Sequence, residues 1–185
     1  MDGLSFEQAT REHARAIEQM RRMSAIDLTE KLGAGHWSGF TRIESIRERI
    51  ACADTENLRK MTLYVASQSG EAVGSVAVTT FPPGFWRRSY WHEPKATALG
   101  VFNLVIPPSR QRQGIGTFLM NGVENLASAH SIPFIRLDAY SENPISTSFY
   151  RAIGYEERGR INVRTVGLVL FEKRISTCMD SLLGQ

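Results

Sequence analysis

The six residues Gln111-Arg112-Gln113-Gly114-Ile115-Gly116 are the part of this chain best suited to hold a charged ligand. Glycines have no Cβ, so backbone N–H groups beside them can approach an anion closely, and a helix starting there adds the positive end of its dipole. The ligand this implies is a phosphate or pyrophosphate, cradled by the backbone from Arg112 to Thr117 with charge from Arg110 and Arg112. Taken alone, Gly-x-Gly at a helix start is more often a tight turn or a close packing contact, so its surroundings decide. A nucleotide P-loop needs Lys-Ser/Thr after the second glycine, where this chain has Thr117-Phe118. A dinucleotide fingerprint needs a third glycine where Leu119 stands, although Asp138 falls near the place of its acidic partner.

A second constellation runs from Asn143 to Tyr155. Asn143 suits a helix N-cap, Pro144 the first helical position and Gly154 the left-handed position past the end. Phe149, Tyr150 and Ile153 within it make an apolar stripe.

These residues must be positioned by the elements between them. Leu99 to Ile106 reads as a buried strand stopped by Pro107-Pro108. From Ile115, the residues Phe118, Leu119, Val123, Leu126 and Ala127 recur at helical spacing, and Phe134 to Tyr140 reads as a second strand. A strand-helix-strand unit with parallel strands and a right-handed crossover is predicted.

With both constellations in place, the chain resembles the GCN5-related N-acetyltransferase superfamily. The pattern Gln/Arg-x-x-Gly-x-Gly/Ala, then Asn, Phe-Tyr and Gly-Tyr/Phe, is met by Gln111, Gly114, Gly116, Asn143, Phe149-Tyr150 and Gly154-Tyr155. The resemblance covers roughly Leu99 to Tyr155. It implies that the glycine loop binds the pyrophosphate of acetyl-CoA, that Asn143 contacts the pantetheine arm and that Tyr150 protonates the departing thiolate. It also implies that the two parallel strands splay apart to admit the arm. The unpaired backbone of Leu104, Val105 and Ile106 would then bond pantetheine as an added strand, with the Ile106 N–H directed at the thioester oxygen. A phenol has an ordinary pKa of about 10, close enough to an alkyl thiol for proton transfer in the transition state. Asp138, five residues before Asn143, is where some members carry a catalytic acidic residue. It is the first candidate for the base, directly or through water, and a strand-end carboxylate holding a loop is the alternative. Glu142 and His92-Glu93 rank below it.

Read along its whole length, the chain of 185 residues predicts one domain. Leu4 to Ala9 is a strand and His13 to Leu32 a helix, with a break near Asp27 as the alternative. Gly33-Ala34-Gly35 forces a loop, Thr41 to Ala53 is a helix with Ile43, Ile46 and Ile50 on one face, and Met61 to Ser67 with Ala72 to Phe81 form a hairpin. Tyr155 to Arg164 and Val166 to Arg174 are a final strand pair. The fold class expected is a mixed α/β arrangement, a largely antiparallel sheet flanked by helices with one parallel pair at its centre.

The net charge of +3 is scattered rather than gathered, so nucleic-acid binding is not indicated. No apolar segment is long enough to span a bilayer and Met1-Asp2-Gly3 does not open a secretory leader, so a cytoplasmic location is expected. Cys52 and Cys178 lack metal-ligand spacing and are expected as free thiols, and no metal is expected. The long connection Phe81 to Thr97 carries Phe85, Trp86, Tyr90, Trp91 and His92 and reads as a wall or lid over an acceptor pocket. Packing onto the domain or a homodimer contact are its alternatives, and packing is the expected role of Trp37. The function expected is acetyl transfer from acetyl-CoA to a primary amine of a small molecule or a protein. The competing class is a non-catalytic acyl-CoA-binding or interaction module with the same fold.

Overall fold

The computed structural model describes residues 3–39 and 41–176. Its elements are β1 (Leu4–Gln8), α1 (Ala14–Leu32), α2 (Ile43–Ala51), β2 (Thr62–Gln68), β3 (Glu71–Thr79), β4 (Ala98–Val105), α3 (Ile115–Ala129), β5 (Phe134–Tyr140), α4 (Pro144–Ala152), β6 (Glu156–Val163) and β7 (Val166–Arg174). The strands hydrogen-bond in the order β1-β2-β3-β4-β5-β7-β6. The β4–β5 pair is parallel, and the β1–β2, β2–β3, β5–β7 and β6–β7 ladders are antiparallel. No helix among the described residues is long and apolar enough to cross a membrane.

The chain forms two compact units. One takes Met1–Thr79 and Phe102–Gly122, the other Thr80–Val101 and the chain from Val123 onward.

In the first unit, Ile17 and Met20 of α1 and Ile46 of α2 are buried with Leu63, Val65 and Ala77 of the β2–β3 hairpin, and Ile43 and Ile50 pack against this cluster. Helix α1 runs through Asp27 without a break. Asp27 pairs with Lys31 one turn on at 2.8 Å, and the Thr29 hydroxyl donates to the Ala25 carbonyl, so the polar residues support the helix locally. The hairpin turns at Ser69 (φ 52°) and Gly70 (φ 83°), the two left-handed positions that match the twist of the strands. A Cβ on Gly122 would collide with the Phe6 ring, which stacks on Tyr64 at 4.9 Å, so only glycine lets α3 approach β1 this closely. Trp37 is buried and its ring N–H donates to the Gly33 carbonyl at 3.1 Å, the packing role expected of it.

In the second unit, the β5–β7 and β7–β6 ladders build the core around Ile135, Leu137, Val169, Leu170 and Phe171. Ladder β4–β5 runs from Ala98–Phe134 to Val101–Leu137. Helix α4 is punctuated as its sequence demands: the Asn143 side chain accepts the Ser146 N–H at 3.2 Å, Pro144 takes the first turn, and Gly154 adopts φ 87° past the end. Cys52 is an exposed free thiol, while Cys178 lies outside the described residues.

Candidate active site

The candidate residues divide between the two units. In the first, strand β4 does not stay extended to its end: Asn103 takes φ 49°, a left-handed conformation that Asn tolerates better than most residues. Beyond it, Leu104, Val105 and Ile106 are half-buried. The Ile106 carbonyl accepts from the Ser24 hydroxyl of α1 at 3.4 Å and from the Gln111 amide at 3.2 Å. Gln111 thus braces the start of the loop against the end of the strand. Within the loop, the Gln113 amide donates to the Ser109 carbonyl at 3.2 Å.

Here the backbone turns sharply. Arg112 has φ 63° and Gly114 φ 80°, two left-handed positions around Gln113. Loops of this type converge N–H groups into an anion-binding concavity. The first bond of α3 runs from Phe118 N–H to the Gly114 carbonyl at 2.9 Å, so the N–H groups of Ile115, Gly116 and Thr117 precede the first intrahelical donor. Gly116 lies within the first turn of α3, and the left-handed glycine of the pair is Gly114 alone. Arg112 is exposed.

The second unit holds Asp138, Tyr140, Asn143 and Tyr150. The Trp86 ring N–H donates to Asp138 Oδ1 at 2.8 Å. Burial holds the Asp138 carboxyl above the usual carboxylate range, opposed by this hydrogen bond, which favours the charged form. Burial also pushes the Tyr150 phenol well above its ordinary value, and the negative charge of Asp138 pushes it further. Tyr140 is raised by the same two causes. The Tyr150 ring lies 5.7 Å from Phe171 and 6.0 Å from Tyr155, centroid to centroid, so it belongs to the apolar stripe as well as to the candidate site. Asn143 is buried, its side-chain oxygen engaged as the helix cap. Glu142 and His92 are exposed.

The connection before β4 packs onto the second unit. Trp86 and Trp91 are buried in edge contact at 5.4 Å, and the Arg136 guanidinium lies 4.9 Å over Trp91. Arg136 donates to Glu172 at 2.7 Å and to the Glu93 carbonyl at 2.8 Å, while Glu172 accepts the His92 backbone N–H at 3.0 Å. Phe81 and Phe85 are exposed. Trp86 was visible in the sequence only as one aromatic among several, and Asn103 as a polar residue inside an apolar run. Their placement is what the sequence reading missed.

The family model for the acetyltransferase (GNAT) family matches residues 26–155, and the chain belongs to that family. The chain is 26% identical over 145 residues to the uncharacterized N-acetyltransferase YesJ of Bacillus subtilis (strain 168), covering 78% of this chain and 76% of that one. Among solved structures it is similar to an N-acetyltransferase from Staphylococcus aureus Mu50, with TM-score 0.70 and 15% identity over 95% of this chain and 100% of that one. It is also similar to yncA from Salmonella typhimurium, solved with its cofactor acetyl-CoA, with TM-score 0.67 and 14% identity over 95% of both chains. The fold is therefore the mixed, mostly antiparallel α/β fold of GNAT acetyltransferases, and the protein is an acyltransferase of that family.

Proposed function

We propose that this acetyltransferase takes its acetyl group from acetyl-CoA and passes it to a primary amine by direct attack, as the work of one cytoplasmic domain. The observation that carries the reading is the loop ahead of α3, where left-handed Arg112 and Gly114 lead into the N–H groups of Ile115, Gly116 and Thr117. Those groups suit the pyrophosphate of CoA, with Arg112 adding charge at the rim. The backbone of Leu104, Val105 and Ile106 is assigned to the pantetheine amides, the Ile106 N–H to the thioester oxygen, and Asn143 to the arm.

In the reaction the amine nitrogen bonds to the thioester carbon, and the oxyanion that forms is met by a backbone N–H. The C–S bond then breaks. Tyr150 gives its proton to the thiolate, and Asp138, directly or through water, takes the proton the amine must lose. The raised Asp138 pKa brings this carboxylate nearer to the working pH of a base. The two proton carriers are coupled. Burial still holds the Tyr150 phenol up when Asp138 is protonated, but the smaller contribution of the Asp138 charge is gone, so proton uptake at one makes the other a somewhat better acid.

Calorimetric titration of the full chain with acetyl-CoA, followed by a screen of an amine library for free CoA, tests the reading. Binding with amine-dependent CoA release supports it. A folded protein that does not bind acetyl-CoA refutes it.

A further inference from the structure

Arg21 lies on the inner face of α1 with Ile17, Met20 and Ala25, and is 6% exposed. A guanidinium that deep is normally paired, because an uncompensated buried charge is costly. Here Nη1 donates to the Thr41 hydroxyl at 3.2 Å, while Nε and Nη2 have no hydrogen-bond partner among the described residues. No carboxylate among the described residues pairs with them. Burial, and after it the like charge of Arg49 on α2, lowers the Arg21 pKa to about 10.

The unpartnered atoms are informative as a pair. Nε and Nη2 form one edge of the guanidinium, the fork that meets a carboxylate or phosphate with two parallel hydrogen bonds. Ser24, three residues along α1 and so about 5–6 Å away on the same helix surface, donates to the Ile106 carbonyl. Ile106 is the residue assigned above to the thioester.

We propose that Arg21 receives an anionic group, a carboxylate or a phosphate, carried by the amine acceptor close to its reacting nitrogen. The inference rests on the acetyltransferase reading and names its substrate class: an amine with an acid a few bonds away. Both nitrogens are shut off from solvent, so anion entry requires a local opening beside the guanidinium, in which Nη1 can give up its bond to the Thr41 hydroxyl. Specificity follows from the same geometry. A site built to satisfy a buried polar edge rejects an analogue that leaves it unpaired.

The test uses the full chain and three probes for CoA release: a mixture of free L-amino acids, the matching mixture of their carboxamides, and O-phosphoethanolamine. An anionic probe is expected to exceed the carboxamides by at least about tenfold in kcat/KM. Arg21→Met is expected to erase that margin through KM while leaving acetyl-CoA affinity unchanged, and Arg21→Lys, which keeps the charge but not the fork, to lose most of it. The amino acids leading assigns a carboxylate, and phosphoethanolamine leading assigns a phosphate. Carboxamides used as well as the anionic probes, or a margin that survives Arg21→Met, overturn the proposal. A readout without turnover is thermal unfolding in acetate or phosphate against chloride at equal ionic strength. A rise of about 2 °C in the wild type and none in Arg21→Met is expected, and equal shifts in both overturn the proposal. Arg21→Met should itself unfold no earlier than the wild type, because it removes an unpaired buried charge. A variant that loses its fold would make Arg21 a structural residue instead. Failure of the acetyl-CoA reading is seen separately, as no binding heat with acetyl-CoA in either protein.

Discussion

At Tyr150, burial and the charge of Asp138 act in the same direction, so the phenol stays protonated through the neutral range and is available as a donor. Tyr150→Phe keeps the ring against Phe171 and Tyr155 and removes only the O–H. Single-turnover acetyl transfer should fall by about 10²- to 10⁴-fold with little change in acetyl-CoA affinity. An unchanged single-turnover rate would reduce Tyr150 to a packing residue. At Asp138 the effects oppose: burial raises the carboxyl and the Trp86 N–H lowers it. A base works in its deprotonated form, so activity rises as pH passes upward through the Asp138 pKa. Trp86→Phe deletes the hydrogen bond that favours the charged form. The acid limb of kcat/KM should move to higher pH, because the protonated carboxyl no longer competes with a hydrogen bond that favours its charged form. Tyr140 and Tyr150, which also face Asp138, remain protonated in this range and do not mask the shift. An acid limb that stays in place would remove Asp138 from the role of base.

The element that the glycine loop serves is α3, and its start depends on backbone conformation more than on side chains. Gly114 sits at φ 80°, where a β-branched residue is strained by about 1–3 kcal/mol. Gly114→Val should therefore distort the turn into α3 and weaken acetyl-CoA binding by about tenfold or more by calorimetry. Arg112→Gln, which removes an exposed charge, should cost less. A folded Gly114→Val with unaltered affinity would show that the pyrophosphate lies elsewhere. Strand β4 makes a related point, because one left-handed residue, Asn103, interrupts its extended course just before the half-buried Leu104, Val105 and Ile106.

At the scale of the whole molecule, stability in the second unit has an identifiable knot. Glu172 of β7 binds Arg136 of β5 and the His92 backbone N–H, while Arg136 binds the Glu93 and Ala96 carbonyls, so one buried ion pair fastens the connection before β4 to two strands. Glu172→Ala strands the Arg136 charge in the interior. It should cost about 3–5 kcal/mol of stability by denaturant titration. A loss below about 1 kcal/mol would mean that the knot is not a source of stability.

What the sequence by itself determined lies within short reach along the chain. Asn143, Pro144 and Gly154 mark the ends of one helix through bonds that span three or four residues. Gly114 and Gly116 announce the turn into α3, and Ser69-Gly70 sits at the hairpin its flanking strands require. Even the parallel pairing of β4 and β5 was legible, because a strand-helix-strand unit leaves few alternatives. The tertiary structure decided the contacts between distant segments. It put β7 between β5 and β6, Trp86 against a carboxylate 52 residues away, and Glu172 against Arg136. It also buried Arg21, a residue type that is mostly exposed. Residue type and spacing carry the local hydrogen-bonding preferences of the backbone. Which charge or ring meets which across the fold depends on how faces pack, and no short window of sequence contains that information.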